Sequence, residues 1–149
     1  MIKPYKISVP KSTLNNIYKK VRAYPWKMMQ NVDGWEYGTN YNFLKKISKY
    51  WVSKYNWKKF ENKINSFKNY KTNVDGINLH FIVEKSKNPK SRPLLLLHGW
   101  PGSVIEFFNI IPRLAHPEKY GGKIEDGFDV IVPSLPCLLY TSPSPRDKS

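Results

Sequence analysis

Cysteine is nearly absent: Cys137 is the only one in 149 residues, so no disulfide and no Cys-based metal site can be built within the chain, and the redox compartment is left undetermined. No stretch approaches the roughly 18 uninterrupted apolar residues of a membrane-spanning helix. Met1 is followed by Lys3, Pro4 and Lys6 instead of the apolar segment of a signal peptide, so a cytoplasmic location is expected. Acidic residues are also scarce, 11 against 25 Lys and Arg. HExxH, CxxC and paired-carboxylate spacings are missing, and His80, His98 and His116 are far apart, so neither a metal nor a cofactor is expected.

What is present describes a folded chain. A hydrophobic content of 40% with 15% aromatics argues against disorder, and the length suits one domain with a sizeable core. The net charge of +14 raises the question of nucleic acid, whose binders cluster basic residues so as to release counterions from phosphates. Here Lys is spread along the chain among Asn, Tyr and Ile, as an A/T-biased coding sequence would produce. A solvated surface is expected, and no nucleic-acid partner.

The first half reads as helical. After Val9-Pro10, Leu14, Ile17, Tyr18 and Val21 recur at helical spacing, with Ser12 or Thr13 available as a cap and Pro25 as the stop. A loop from Trp26 to Thr39 leads to a second helix from Asn40 through Phe43, Leu44, Ile47, Tyr50 and Trp51. A third begins near Asn56, whose side chain can accept from the next turn, and places Trp57, Phe60 and Ile64 on one core face.

From Phe67 the period changes to two. A run to Val74, the dipeptide Asp75-Gly76, and alternating Ile77, Leu79, Phe81 and Val83 predict a β-hairpin. His80 falls within it as a structural histidine at the sheet surface. After a loop from Lys85 to Arg92, the run Leu94 to Leu97 predicts a strand buried on both faces. Ser103 and Glu106 stand in capping-box spacing before a helical stripe of Phe107, Ile110, Ile111 and Leu114. His116 looks like ordinary loop, and Phe128 to Val132 is the next strand, pairing in parallel through a right-handed crossover. The division expected is 1–66 helical, 67–136 the first part of an α/β sheet, and 137–149 a separate tail.

The turn His98-Gly99-Trp100-Pro101-Gly102 is the most informative motif. It joins a strand to a helix start, where unpaired backbone N–H groups point outward and can stabilise an anion. Read in isolation, its glycines permit sharp backbone angles and Trp100 packs.

In context the segment Leu94 to Ser103, LLLLHGWPGS, resembles the oxyanion-hole segment of epoxide hydrolases. The upstream region resembles the N-terminal domain of the microsomal and juvenile-hormone type through Trp35-Glu36-Tyr37-Gly38, Tyr50-Trp51, Tyr55-Asn56-Trp57, Glu61, Asn65 and Phe67. Asp75-Gly76, His80-Phe81 and Pro133-Ser134-Leu135-Pro136 complete the likeness. It implies an α/β fold: a helical leader followed by the first strands of an incomplete α/β-hydrolase sheet.

In such enzymes an Asp carboxylate attacks an epoxide carbon, two cap-domain tyrosines hold the epoxide oxygen, and a His paired with an acid activates water to hydrolyse the ester. The resemblance implies this hydrolase chemistry on an ether bond, with a small epoxide as partner and detoxification as its setting, and makes the Trp100 N–H an oxyanion donor. Preorganised donors of this kind supply roughly 3 to 4 kcal/mol each. A second donor follows the nucleophile on its elbow, yet no Gly-x-Ser-x-Gly or Gly-x-Asp-x-Gly occurs. Asp33, Asp75, Asp126 and Asp129 cannot fill the order nucleophile, acid, base. The chain is therefore expected to hold neither nucleophile nor general base and to be inactive alone.

Beyond Pro136 the likeness stops. Cys137 to Ser149 is similar to the translation of a transposase-type sequencing adapter and is expected to be a non-native tail on a truncated reading frame. Leu94 to Leu97 then becomes an apolar sheet edge prone to aggregation. Two other readings stay open. Another α/β-hydrolase, an esterase or dehalogenase, is opposed by the helical leader with Trp35, Tyr37 and Gly38, and a Ser in place of Asp at the elbow would favour ester chemistry; a basic nucleic-acid module would need exposed aromatics and a steep salt dependence. Substrate identity and oligomeric state are not legible.

Overall fold

The structure, a computed structural model, describes residues 1–29 and 34–136; Cys137 to Ser149, expected as a tail, lie outside the described residues. Two compact units emerge, one of Ser8–Glu61 and one of Met1–Ile7 with the chain from Asn62 onward.

The Ser8–Glu61 unit holds α1 (Lys11–Arg22), α2 (Tyr41–Ser53) and most of α3 (Trp57–Asn65). The cap expected from Ser12 or Thr13 is absent: the helix starts after Pro10 with no side-chain cap. Proline fixes the extended entry angle and needs no donor of its own. Lys19, Lys20 and Arg22 in the last turn of α1 suit the negative end of its dipole. Asn40 caps α2, accepting from Phe43 N–H at 3.0 Å, and Asn56 accepts from Lys59 N–H at 3.3 Å as expected.

Glu61 ties this unit together. Its carboxylate accepts from Lys58 at 2.6 Å, from Val9 N–H at 2.8 Å and from Trp57 Nε1–H at 2.9 Å. Those donors, led by Lys58 and Val9, pull its pKa from 4.5 to about 2.

The aromatic residues read as core are shallower than periodicity suggested. On α2, Phe43, Tyr50 and Trp51 are 44%, 55% and 42% exposed, and neither α1 nor α2 contributes a fully buried side chain. Ile17, Ile47, Tyr50 and Trp51 line an open apolar cleft of about 460 Å³.

In the other unit, β1 (Lys3–Pro4), β2 (Lys68–Val74), β3 (Ile77–Glu84), β4 (Pro93–Leu95) and β5 (Asp129–Pro133) form one sheet in the order β1-β2-β3-β5-β4. The hairpin is as predicted: Val74 faces Ile77, and Asp75 and Gly76 both have positive φ, 49° and 84°. Two such residues give a turn whose twist matches the strands. β4 and β5 run parallel, as the strand–helix–strand order predicted.

Alternation puts Asn69, His80, Ile82, Val130 and Val132 on one face, where all five are buried. Ile82, Val130, Val132 and Ile111 are fully enclosed, each such side chain contributing about 1.5–3 kcal/mol. Short α4 (Ile111–Ala115) covers them.

Two expectations fail here. The leucine run is not buried on both faces: β4 ends at Leu95, and Leu95 and Leu97 are 55% and 56% exposed. Among the described residues β4 lies at the edge of the sheet, so no strand flanks the leucines on that side. Nor is there one helix from Ser103 to Leu114. A 3-10 turn over Val104–Phe107 and then α4 replace it, because Pro112 lacks the N–H that would bond Phe108 and is suited to the first turn of a new helix.

Candidate functional site

The candidate turn hangs from the C-terminal end of β4. Leu96 N–H still donates to the Ile131 carbonyl at 2.9 Å, after which the chain leaves the sheet. His98 turns inward and is 3% exposed, whereas Trp100 is 79% exposed. The expectation that Trp100 packs is therefore overturned: among the described residues no element covers its outer side.

Within the turn, Gly102 N–H donates to the Gly99 carbonyl at 2.7 Å, and the Trp100–Pro101 peptide is cis. Neither Gly99 nor Gly102 has positive φ, so left-handed backbone is not their purpose. Gly102 is there for space: a Cβ would stand 2.9 Å from the Gly99 oxygen and inside the Glu106 carboxylate. Ser103 Oγ accepts from Ile105 N–H at 3.4 Å, while Glu106 N–H donates to the Ser103 carbonyl at 3.1 Å, so the cap forms but the expected capping box does not.

His98 holds the turn from beneath. Its Nε2 accepts from Leu135 N–H at 3.0 Å, and its Nδ1 lies 3.2 Å from the Gly99 carbonyl oxygen. The Gly99 oxygen thus faces inward with two partners. Among the described residues the Trp100 N–H has none. In a trans peptide the C=O and the following N–H point oppositely, so the Trp100 amide is directed away from His98.

Next to it lies a buried polar string. His80 Nδ1 is 2.8 Å from Ser134 Oγ, its Nε2 is 3.0 Å from Asn69 Oδ1, and Ser134 N–H donates to the His80 carbonyl at 2.9 Å. His80 is thus buried, correcting the surface position expected. Burial first, and Lys71 second, lower its pKa to about 4.

The remaining candidates scatter. His116 is not ordinary loop: its Nε2 is 2.8 Å from Glu84 Oε1 and its Nδ1 is 3.9 Å from Glu118. Asp129 is engaged by Lys85 and by Ser86 N–H; Lys85 in first place holds its carboxyl below the usual range. Asp75 sits in the hairpin turn, Asp126 in a 3-10 turn, and Asp33 lies outside the described residues. Among the described residues no three acidic, His or Cys side chains are placed to hold a metal ion, and no helix is long and apolar enough to cross a membrane.

His80 is hydrogen-bonded as expected for a structural histidine, but its partners, and the hydrogen bonds of His98, are not legible in the sequence. Their partners lie 37 and 54 residues away, where no local pattern reaches; the alternation that buries His80 was the one available signal.

Comparison with known proteins follows the same outline. Residues 2–107 match the family described as epoxide hydrolase N terminus. The chain is 44% identical over 135 residues to a putative epoxide hydrolase of Stigmatella aurantiaca, covering 91% of this chain and 31% of that protein. It is 37% identical over 151 residues to epoxide hydrolase 1 of Oryctolagus cuniculus, covering 97% and 33%. The crystal structure of juvenile hormone epoxide hydrolase from Bombyx mori superposes with a TM-score of 0.78 at 33% identity, covering 91% of this chain and 32% of that one. The chain spans about a third of the length of the curated relatives it matches.

Proposed function

Because the chain belongs to the epoxide hydrolases that carry this N-terminal region, we propose that it serves an enzyme that opens an epoxide to a vicinal diol through an alkyl-enzyme ester. Its own contribution is the Trp100 N–H as one donor of the oxyanion hole. Hydrolysis of the ester puts negative charge on the former carbonyl oxygen, and a fixed amide stabilises it without reorganising. His98, Gly99, Pro101 and Gly102 shape the turn that presents this amide.

The observation that carries the reading is the Trp100 amide itself. It is unpaired among the described residues and opposite a Gly99 oxygen held by Gly102 and His98. It also stands past the C-terminal end of a parallel strand, where α/β sheets place their ligands.

The test is a chimera of residues 1–136 with the remaining portion of the Stigmatella relative, assayed on styrene oxide. Trp100→Phe keeps the amide and most of the turnover. Trp100→Pro removes the N–H and lowers kcat by about 10²–10³-fold. Equal rates in the two variants would refute the role. Residues 1–149 alone, which hold no nucleophile elbow, show no turnover.

A further inference from the structure

Hydrogen-bond valence at the two buried histidines can be solved without reference to their acidity. A carbonyl oxygen only accepts, so the His98 Nδ1 beside the Gly99 oxygen at 3.2 Å carries a hydrogen. An amide N–H only donates, so the His98 Nε2 facing Leu135 N–H at 3.0 Å is bare. His98 is therefore the Nδ1–H tautomer.

At His80 the answer is reversed. The Asn69 side-chain nitrogen donates to the Ile64 and Phe67 carbonyls at 2.9 and 2.7 Å, which fixes that amide's orientation and leaves Oδ1 toward His80. Oδ1 accepts, so His80 Nε2 carries the hydrogen and Nδ1 takes one from Ser134 Oγ at 2.8 Å.

The two rings meet through consecutive residues at the end of β5. Ser134 binds His80 through both its backbone N–H and its hydroxyl, and the next amide, Leu135 N–H, binds His98. We propose that Asn69, His80, Ser134 and His98 form a buried positioning relay, its two histidines held in opposite tautomers, that aims the Trp100 amide outward from the turn. The lever is the Gly99–Trp100 peptide unit. His98 Nδ1–H and Gly102 N–H pull its oxygen inward, and the planar trans bond turns that pull into the direction of the Trp100 N–H. None of the four side chains touches the reacting atoms, so all are positioning residues. The inference deepens the oxyanion reading and rests on it for its purpose.

The experiment is nitrogen NMR on the ¹⁵N-labelled 149-residue chain. Long-range proton–nitrogen correlations of the imidazoles report which ring nitrogen is protonated. The expected result is Nδ1–H at His98 and Nε2–H at His80; the same tautomer in both rings overturns the relay. Two variants then test the lever. In His98→Asn the side-chain NH₂ replaces Nδ1–H and the Trp100 amide resonance stays near its wild-type position. In His98→Gln the group near Nε2 is kept, contact with Gly99 is lost, and the Trp100 amide moves. Equal displacement in both variants overturns the lever, and should neither variant fold, the wild-type tautomers still decide the relay. Titration with acetate separates the underlying reading: if the tautomers and the variant pattern hold but acetate leaves the Trp100 amide unmoved, the oxyanion assignment fails while the relay stands.

Discussion

Lowering the pH through the range where an ordinary histidine titrates should loosen the sheet-bearing unit through His80. In the unfolded chain this ring takes up a proton near 6.5; in the folded chain it does so only at about 4. Between those values the unfolded state binds more protons, so stability falls as pH falls. Burial is the main cause and the facing Lys71 the second. Tyr5, whose ring meets His80 edge-on at 5.9 Å, and the neutral Asn69 and Ser134 offer the imidazolium no counter-charge. At about 1.4 kcal/mol per pH unit the gap sets a ceiling near 3 kcal/mol, and residual solvent screening reduces this to about 2 kcal/mol. The assay is urea unfolding followed by far-UV circular dichroism at about pH 7 and about pH 4.5, on wild type and on His80→Gln. Glutamine keeps a donor toward Asn69 and does not titrate. The wild type should lose most of that 2 kcal/mol in excess of the variant, and the subtraction cancels every other titrating group. Identical losses in the two proteins would refute a neutral, buried His80.

Glu61 titrates in the opposite direction and lower down: its carboxylate stabilises the fold above its ordinary 4.5, and that stabilisation is lost as pH falls through about 2. Glu61→Gln should therefore lower the melting temperature at neutral pH, with the difference from wild type closing as pH approaches 2. Gly76→Ala meets no atom within 4 Å but must adopt φ of 84°, so its cost is purely conformational, about 1 kcal/mol by urea unfolding. The double variant Leu95→Lys, Leu97→Lys should raise the soluble fraction on expression. It should cost less than about 1 kcal/mol at each position, because each side chain is already more than half exposed; an unchanged soluble fraction would argue against aggregation through this edge.

Local chemistry was legible in the sequence. Asp75-Gly76 announced its hairpin because the two residues alone satisfy the turn, and Asn56 announced α3 because a cap acts within one turn. What depends on distant partners was not. Lys3–Pro4 becomes a strand only by pairing with Tyr70 and Lys71, and nothing in its own residues signals that. The stripe from Phe107 to Leu114 is equally compatible with one helix or with a 3-10 turn followed by α4, and the choice lies with Pro112. The candidate turn was recognisable from its residues and its likeness to a family, but the His98 ring that bears on its Gly99 oxygen is held by Leu135 N–H, a residue remote in sequence.

The sheet's two margins are unequal. On one side β2 is flanked by a two-residue stitch whose Pro4 has no N–H to offer and whose neighbours include Lys3, Lys68 and Lys71. On the other, β4 has no further strand beside it among the described residues, and Leu95 and Leu97 are more than half exposed. Growth of this sheet is consequently one-way among the described residues: a newly arriving strand finds its lane along β4, the very segment that leads into the Trp100 turn.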